Sequence, residues 1–362
     1  MIPRAATRDA TPTTGRWRRA LALGVGSVDE LLDLLELPRT VATPGGSPGV
    51  LSATREATQE TTQRFPLRVP RGFVARMRKG DPKDPLLLQV LPQVRELDPV
   101  PGFSTDPLGE RRASPRPGLL HKYQGRALLV VTGACAIHCR YCFRRHFPYE
   151  GHVGTERWVE ALGHLAADSS VTEVILSGGD PLVLSDRRLS ALAREIAAIP
   201  HVRRLRVHSR LPVVLPERVT GDLLGWLCGT RLIPVMVIHV NHPREIDRPV
   251  AEALGRLRSA GVTVLNQTVL LAGVNDDATV LAELSERLFD AGALPYYLHL
   301  LDPVAGAAHF EVPEVRARAL ARNLAARLPG YLVPRLVREV AGAAAKVPVD
   351  LRLDGQAPEA HP

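Results

Sequence analysis

The chain has 362 residues, of which 45% are apolar and only 4% aromatic, enough for one large domain, or a large and a small one, around an aliphatic core. Basic residues outnumber acidic ones 46 to 38, a formal charge of +8. The excess is spread along the chain, which fits a solvated surface and small anionic ligands rather than nucleic acid. Only four cysteines are present, three of them within eight residues; this excludes a disulfide-stapled secreted scaffold and suggests metal ligation in a reducing, cytoplasmic setting. No apolar run reaches the roughly 18 residues of a membrane span.

Residues 1–16, rich in Thr, Ala, Pro and Arg, read as a disordered tail. Arg16, Arg18 and Arg19 precede a short apolar run, as in a signal peptide, but Asp29, Glu30 and Asp33 follow it. The expectation is therefore an amphipathic helix over 17–37, ended by Pro38. It opens an N-terminal helical region, 17–118, with a flexible Thr/Gly/Ser/Pro-rich linker at 40–64 and short helices such as 72–79 and 85–91 between proline turns.

The pattern changes near residue 119. Apolar, β-rich runs recur at 127–132, 172–177, 202–208, 232–237, 262–270 and 295–301. Helical patterns lie between them, at 156–167, 185–199, 249–260 and 278–291. Continuous apolar strands alternating with helices predict a parallel sheet with helices outside. Six units predict an α/β fold, an incomplete (β/α)6 barrel over 119–330, followed by a short C-terminal extension, 331–362. A doubly wound open sheet is the alternative. In either, ligands gather at the strands' C-terminal ends.

Two motifs stand there. Cys135-Ala-Ile-His-Cys139-Arg-Tyr-Cys142 follows the first strand. Three thiolates ligate three irons of a [4Fe-4S] cubane and leave the fourth iron open to a small molecule. The competing reading is a zinc site closed by His138 or His146, although the unequal spacing is unlike the usual zinc pairs. Cys228, in an apolar helical segment, reads as a buried core thiol. Next, Val174-Ile-Leu-Ser177-Gly178-Gly179-Asp180-Pro181 ends a strand in two glycines, which allow close backbone approach to a ligand, and an acid that can accept from an ammonium group.

Together these motifs resemble the radical S-adenosylmethionine superfamily. Further segments look like lysine 2,3-aminomutases: Gly118-Leu-Leu-His-Lys122-Tyr123-Gln-Gly-Arg126, Cys142-Phe-Arg144-Arg145-His-Phe-Pro-Tyr, Leu265-Asn-Gln267-Thr-Val-Leu-Leu and Pro295-Tyr-Tyr-Leu-His-Leu-Leu-Asp302. Pro101-Gly-Phe-Ser-Thr-Asp-Pro, the Arg-Arg-His-Phe-Pro-Tyr run and Gly306-Ala-Ala-His-Phe310 look like the branch acting in elongation factor P β-lysylation. The likeness covers about residues 17–354.

The resemblance implies a radical SAM barrel with three cofactors: the [4Fe-4S] cluster on Cys135, Cys139 and Cys142, S-adenosylmethionine, and pyridoxal 5'-phosphate on Lys346, in the C-terminal extension. It sets Gly178, Gly179, Asp180, His239 and Gln267 near S-adenosylmethionine, and Lys122, Tyr123 and Arg126 around pyridoxal phosphate. Arg144 would clamp the carboxylate of L-lysine, a two-pronged task suited to guanidinium. Asp302 and Glu339 would hold its ε-ammonium; in the longer clostridial-type enzymes the second acid is aspartate. Alanines 343–345 replace the glycines that the family has before the lysine. No cysteine follows Cys228, so the zinc-linked oligomer of the longer enzymes is not expected. The implied activity is isomerisation of L-lysine to β-lysine of the R form. An electron donor such as flavodoxin or ferredoxin, and an elongation factor P lysyl ligase that receives the product, are the implied partners; neither nucleic acid nor membrane is. Free-standing β-lysine synthesis for a small metabolite, or a zinc-binding nucleic-acid interaction protein, are the alternatives.

Overall fold

A computed structural model describes residues 13–42 and 59–351. Residues 1–12 of the expected tail and 43–58 of the expected linker lie outside them. Residues 59–64, within the expected linker, are helical.

The single N-terminal helix expected over 17–37 is instead two, α1 (Thr13–Ala22) and α2 (Val28–Leu34). Between them Val25 pairs with Val69 as an isolated antiparallel bridge. Gly24 lies so near that a Cβ there would meet the Val69 carbonyl oxygen at 3.2 Å. This tertiary bond takes the backbone out of the helix. The short helices Arg71–Val74 and Pro85–Leu88 follow, the second started by Asp84, whose carboxylate accepts from the Leu86 and Leu87 amides at 2.9 and 3.0 Å.

Nine strands form one sheet in strict chain order. The hairpin of β1 (Leu119–Tyr123) and β2 (Arg126–Thr132) is antiparallel. From β2 onward the ladder is parallel through β3 (Glu173–Gly178), β4 (Arg204–His208), β5 (Ile233–Ile238), β6 (Thr263–Val269), β7 (Leu294–His299) and β8 (Arg335–Arg338). A final two-residue strand, β9 (Val347–Pro348), returns antiparallel to β8. The crossovers carry α3 (Thr155–Ala167), α4 (Asp186–Ala197), α5 (Gly221–Cys228), α6 (Arg248–Ser259), α7 (Ala278–Asp290) and α8 (Glu314–Arg327). Each strand therefore pairs with the next in sequence, without the reversal of order that defines a doubly wound sheet. The six expected βα units are all there, and β8 adds a seventh parallel strand inside the segment expected as an extension. The two ends of the sheet do not pair, so the barrel stays open.

Apolar side chains explain why the strands sit where they do. Every residue of β3 is buried, as expected of a strand covered on both faces. The main core joins the barrel to the N-terminal region through Trp17, Leu31, Phe73 and Leu86. A second cluster, with Leu281, Leu298, Leu324 and Leu336, seats α7 and α8 against β7 and β8. Cys228 is only half-buried at the core's edge, its thiol donating to the Ala260 carbonyl at 3.4 Å.

One buried ion network fastens the N-terminal region to the cysteine loop. Arg140 and Arg145 both pair with Glu96, and all three side chains are almost fully buried. Removing the shared acid strands two buried cations. Glu96→Leu is expected to lower unfolding free energy by about 3–5 kcal/mol, read as an earlier urea midpoint; a midpoint equal to wild type would contradict this account.

Candidate active site

A cavity of about 640 Å³ runs through the open barrel. Its walls include all fifteen residues that the resemblance assigns to the site, the three cysteines and Lys346 among them. Arg126 and Thr132 are the two ends of β2, about 20 Å of rise apart. The basic pair therefore sits at the strand bases and the cysteine loop at their tips.

Cys135, Cys139 and Cys142 all face this cavity. Burial raises the pKa of the Cys135 thiol, with Cys142 and Cys139 adding to it; burial and the neighbouring Cys139 push Cys142 up to about 11. Three thiols lining one cavity can hold one multinuclear centre. Among the described residues no group of three or more His, Cys, Asp and Glu is arranged to hold a metal ion. The thiols need no such convergence if each binds a different corner of a cubane. Both candidate zinc histidines are turned to main-chain oxygens, His138 Nδ1 to Pro66 at 2.8 Å and His146 Nε2 to Ala305 at 3.0 Å.

The two glycines line the cavity and also permit a close backbone contact. Gly178 has φ +121, and a Cβ on it would lie 2.4 Å from the Thr132 carbonyl oxygen. A Cβ on Gly179 would lie 2.4 Å from that of Ala134. The backbone itself closes the gap: Gly179 N–H donates to Thr132 O at 2.7 Å and Asp180 N–H to Ala134 O at 2.9 Å. Only glycine permits so close an approach, and it anchors the start of the cysteine loop. The Asp180 carboxylate, expected to accept from an ammonium group, is filled by protein donors. Leu182 N–H and Ser209 Oγ–H reach Oδ1 at 3.0 and 2.7 Å, and the Arg210 and Leu211 amides reach Oδ2 at 2.8 and 3.1 Å. Its contribution is to shape the loop.

Arg144 is also already paired. Nε and Nη2 donate to the two oxygens of Glu110, each at 2.8 Å, and Nη1 donates to Ser177 Oγ at 3.0 Å. Lys122 Nζ lies 3.4 Å from the same Glu110. Glu110 thus joins two cations that the sequence reading gave to different ligands, and a two-pronged clamp on another carboxylate requires Glu110 or Ser177 to let go. Nothing in the sequence around Glu110 marks it: it lies in an irregular segment without periodic pattern.

At the base, the β1–β2 turn brings Lys122, Tyr123 and Arg126 together, with the Arg126 guanidinium 4.6 Å from the Tyr123 ring centroid. The β8–β9 loop, which follows the C-terminal end of β8, supplies Glu339 and Lys346. Tyr123 Oη donates to Glu339 Oε1 at 2.7 Å, and Lys346 Nζ lies 3.2 Å from the same oxygen. Burial lowers the Lys346 pKa, against the pull of Glu339. Although burial opposes it, Lys346, Lys122 and the tyrosine bond hold Glu339 down to about 2. Asp302, just past β7, is pushed the other way: burial and then the Glu339 charge raise it to about 7. Two acids with separated pKa values in one cavity are a mark of a working site.

The inner wall carries neutral imidazoles. Burial lowers His239 to about 4 and puts His208 and His299 well below the usual histidine range. The Nε2 atoms of His208, His299 and Gln267 are buried without a protein hydrogen-bond partner. Orphaned polar atoms facing a cavity fit a polar ligand that satisfies them.

Asp302 gives a pH test. Its folded-state pKa lies above the ordinary carboxylate value, so between about pH 4 and 7 the folded chain binds the extra proton and stability falls as pH rises. Asp302→Asn removes that slope. In urea titrations the variant is expected to gain on wild type from about pH 5 to about pH 8; parallel curves would contradict the shift.

Comparison with known proteins identifies the family. Residues 129–223 match the Radical SAM superfamily. The chain is 50% identical over 347 residues to the L-lysine 2,3-aminomutase of Escherichia coli, covering 96% of this chain and 98% of that one. It is 51% identical over 279 residues to the Haemophilus influenzae enzyme of the same name (77% and 82% covered). With that of Clostridium subterminale it shares 37% over 280 residues (76% and 67% covered). On its sequence, its open barrel and its cysteine-lined cavity, the chain belongs to the L-lysine 2,3-aminomutase family of radical SAM isomerases.

Proposed function

We propose that this enzyme makes (R)-β-lysine from L-lysine, using pyridoxal phosphate held by Lys346, and supplies it for modification of elongation factor P. The aminomutase family implies a [4Fe-4S] cluster, S-adenosylmethionine and pyridoxal phosphate. The observation that carries the residue assignment is the single cavity shared by thiols, basic pair, acids and Lys346. The three cavity-facing thiols, the orphaned His299 and Gln267 nitrogens and the amine of Lys346 fit the three groups.

When bound, the cluster and S-adenosylmethionine supply one-electron hydrogen abstraction, and pyridoxal phosphate delocalises unpaired spin beside the migrating nitrogen. The chain's own part is to hold, orient and shield. Cys135, Cys139 and Cys142 hold the iron. Lys122 and Arg126 offer two cations to a phosphate dianion. Lys346, whose neutral form burial favours, offers an amine to a carbonyl carbon. Glu339 and Asp302, which line the same cavity, are the two carboxylates that would receive the substrate's ε-ammonium. Asp302 ionises near neutral pH and adds the second negative charge. Arg144 would meet the opposite end of the substrate, exchanging its bond to Ser177 or to Glu110 for one to the substrate carboxylate. Fixing both ends sets the β-hydrogen against the abstracting centre.

The R form and the elongation factor P route rest on the resemblance carried by the Pro101–Pro107, Arg144–Tyr149 and Gly306–Phe310 segments. A low-potential electron donor such as flavodoxin or ferredoxin, a receiving ligase and a cytoplasmic setting belong to the same reading. Among the described residues no helix is long and apolar enough to cross a membrane.

The test is anaerobic turnover of L-lysine by the reconstituted enzyme, with chiral mass spectrometry of the product. The R isomer is expected; the S isomer would overturn the branch assignment. Asp302→Ala is expected to cleave S-adenosylmethionine while losing nearly all lysine turnover. If that variant turned lysine over at the wild-type rate, Asp302 would have no part in holding the ammonium.

A further inference from the structure

Arg210 stands just past β4, at the tip of the barrel, and no step above uses it. Its side chain is buried, 6% exposed. Nη1 donates to the Cys139 sulfur at 2.8 Å. Nη2 donates to Gln89 Oε1 at 2.6 Å and to Glu245 Oε2 at 3.0 Å. Its main-chain N–H is one of the donors that fill Asp180. The guanidinium lies between the Phe73 and Tyr141 rings, 5.4 and 5.8 Å from their centroids. It cannot swing to another partner without breaking several of these contacts.

Glu245 is no mobile counter-ion. It is fully buried, and Oε1 accepts from the Asn241 and His242 amides at 3.0 and 3.1 Å and from Gln89 Nε2 at 3.1 Å. The acid therefore grips one guanidinium nitrogen while the other points at sulfur. Glu245 offsets the charge, but the arginine is nearer the thiolate, and Coulomb energy falls with distance.

We infer that Arg210 is a positioning residue of the iron–sulfur centre, whose N–H bond to the Cys139 sulfur raises the cluster's reduction potential. The inference rests on the assignment of Cys139 as an iron ligand. Uptake of one electron from the reductant takes the cluster from the 2+ to the 1+ state and puts more negative charge on its sulfurs. A cationic donor stabilises that state more than the oxidised one, and hydrogen bonds to sulfur are among the levers that set such potentials.

The experiment is a redox titration of the reconstituted enzyme, followed by electron paramagnetic resonance of the reduced cluster, beside iron content and visible absorbance. Arg210→Gln is expected to keep its iron and shift the midpoint to more negative potential; Arg210→Lys, which keeps a cation, is expected to shift it less. Equal midpoints for Arg210→Gln and wild type at equal iron content would overturn the inference. Should Arg210→Gln fail to hold iron, Gln89→Leu decides. It removes one anchor of the guanidinium and so loosens its hold on the Cys139 sulfur, so a smaller shift of the same sign is expected and no shift overturns. A wild-type chain that took up no iron would overturn the cluster assignment itself, and this inference with it.

Discussion

The close approach of two backbones holds the site together. At the tips of β2 and β3 the chain comes so near itself that no side chain fits between, and Gly178 and Gly179 are the residues that permit it. The bonds across that contact tie the first turn of the cysteine loop to β3. Asp180, with its four donors, then ties the same point to the start of the segment after β4. Three successive strand tips are thus locked at fixed spacing, and the thiols hang from the first of them. A larger residue at either glycine would have to push the cysteine loop away, a change felt by every ligand in the cavity.

Buried charge does the rest of the fixing. Glu96 pairs with Arg140 and Arg145, Glu110 with Arg144 and Lys122, and Glu245 with Arg210. Each acid takes an arginine from the cysteine loop, or from the strand tip beside it, and two of the acids come from the N-terminal region. That region is therefore part of the site, although its own elements are short. The same arginines pass over aromatic rings, such as Phe65 under Arg140 and Arg145, which gives planar cations a flat bed that lysine would not match.

Much of the barrel was legible in the sequence because strands such as β2 and β3 read as apolar runs between helical patterns, β3 being buried throughout. Strand β8 was not: Arg335-Leu-Val-Arg338 is four residues long with a charge at each end. Its burial comes from α8 and β7, which no local pattern reports. The helix expected over 17–37 failed for a similar reason, since the bond from Val25 to Val69 is tertiary. The thiols and the glycine pair were visible as motifs, but the partner of the glycines was not. An acid such as Glu110 has no periodicity to betray it, and its partners lie 12 and 34 residues away in sequence. Lys346 carries no local signal either; only its likeness to a family lysine singled it out.

The open barrel has a seam. No ladder joins β1 to the far edge of the sheet, and across that opening Tyr123 meets Glu339 side chain to side chain. Such a bond is worth on the order of 0.5–1.5 kcal/mol, or up to about 3 with a charged partner, far less than a strand ladder. Parting the two edges leaves every main-chain pairing of the sheet intact. The Tyr123–Glu339 bond is thus a side-chain latch on the seam, additional to the main-chain bridge of Ser104 to Val304, which ties the segment before β1 to the loop after β7. The tyrosine that closes the latch also touches the acid that holds Lys346, so opening it disturbs the lysine's partner at the same time.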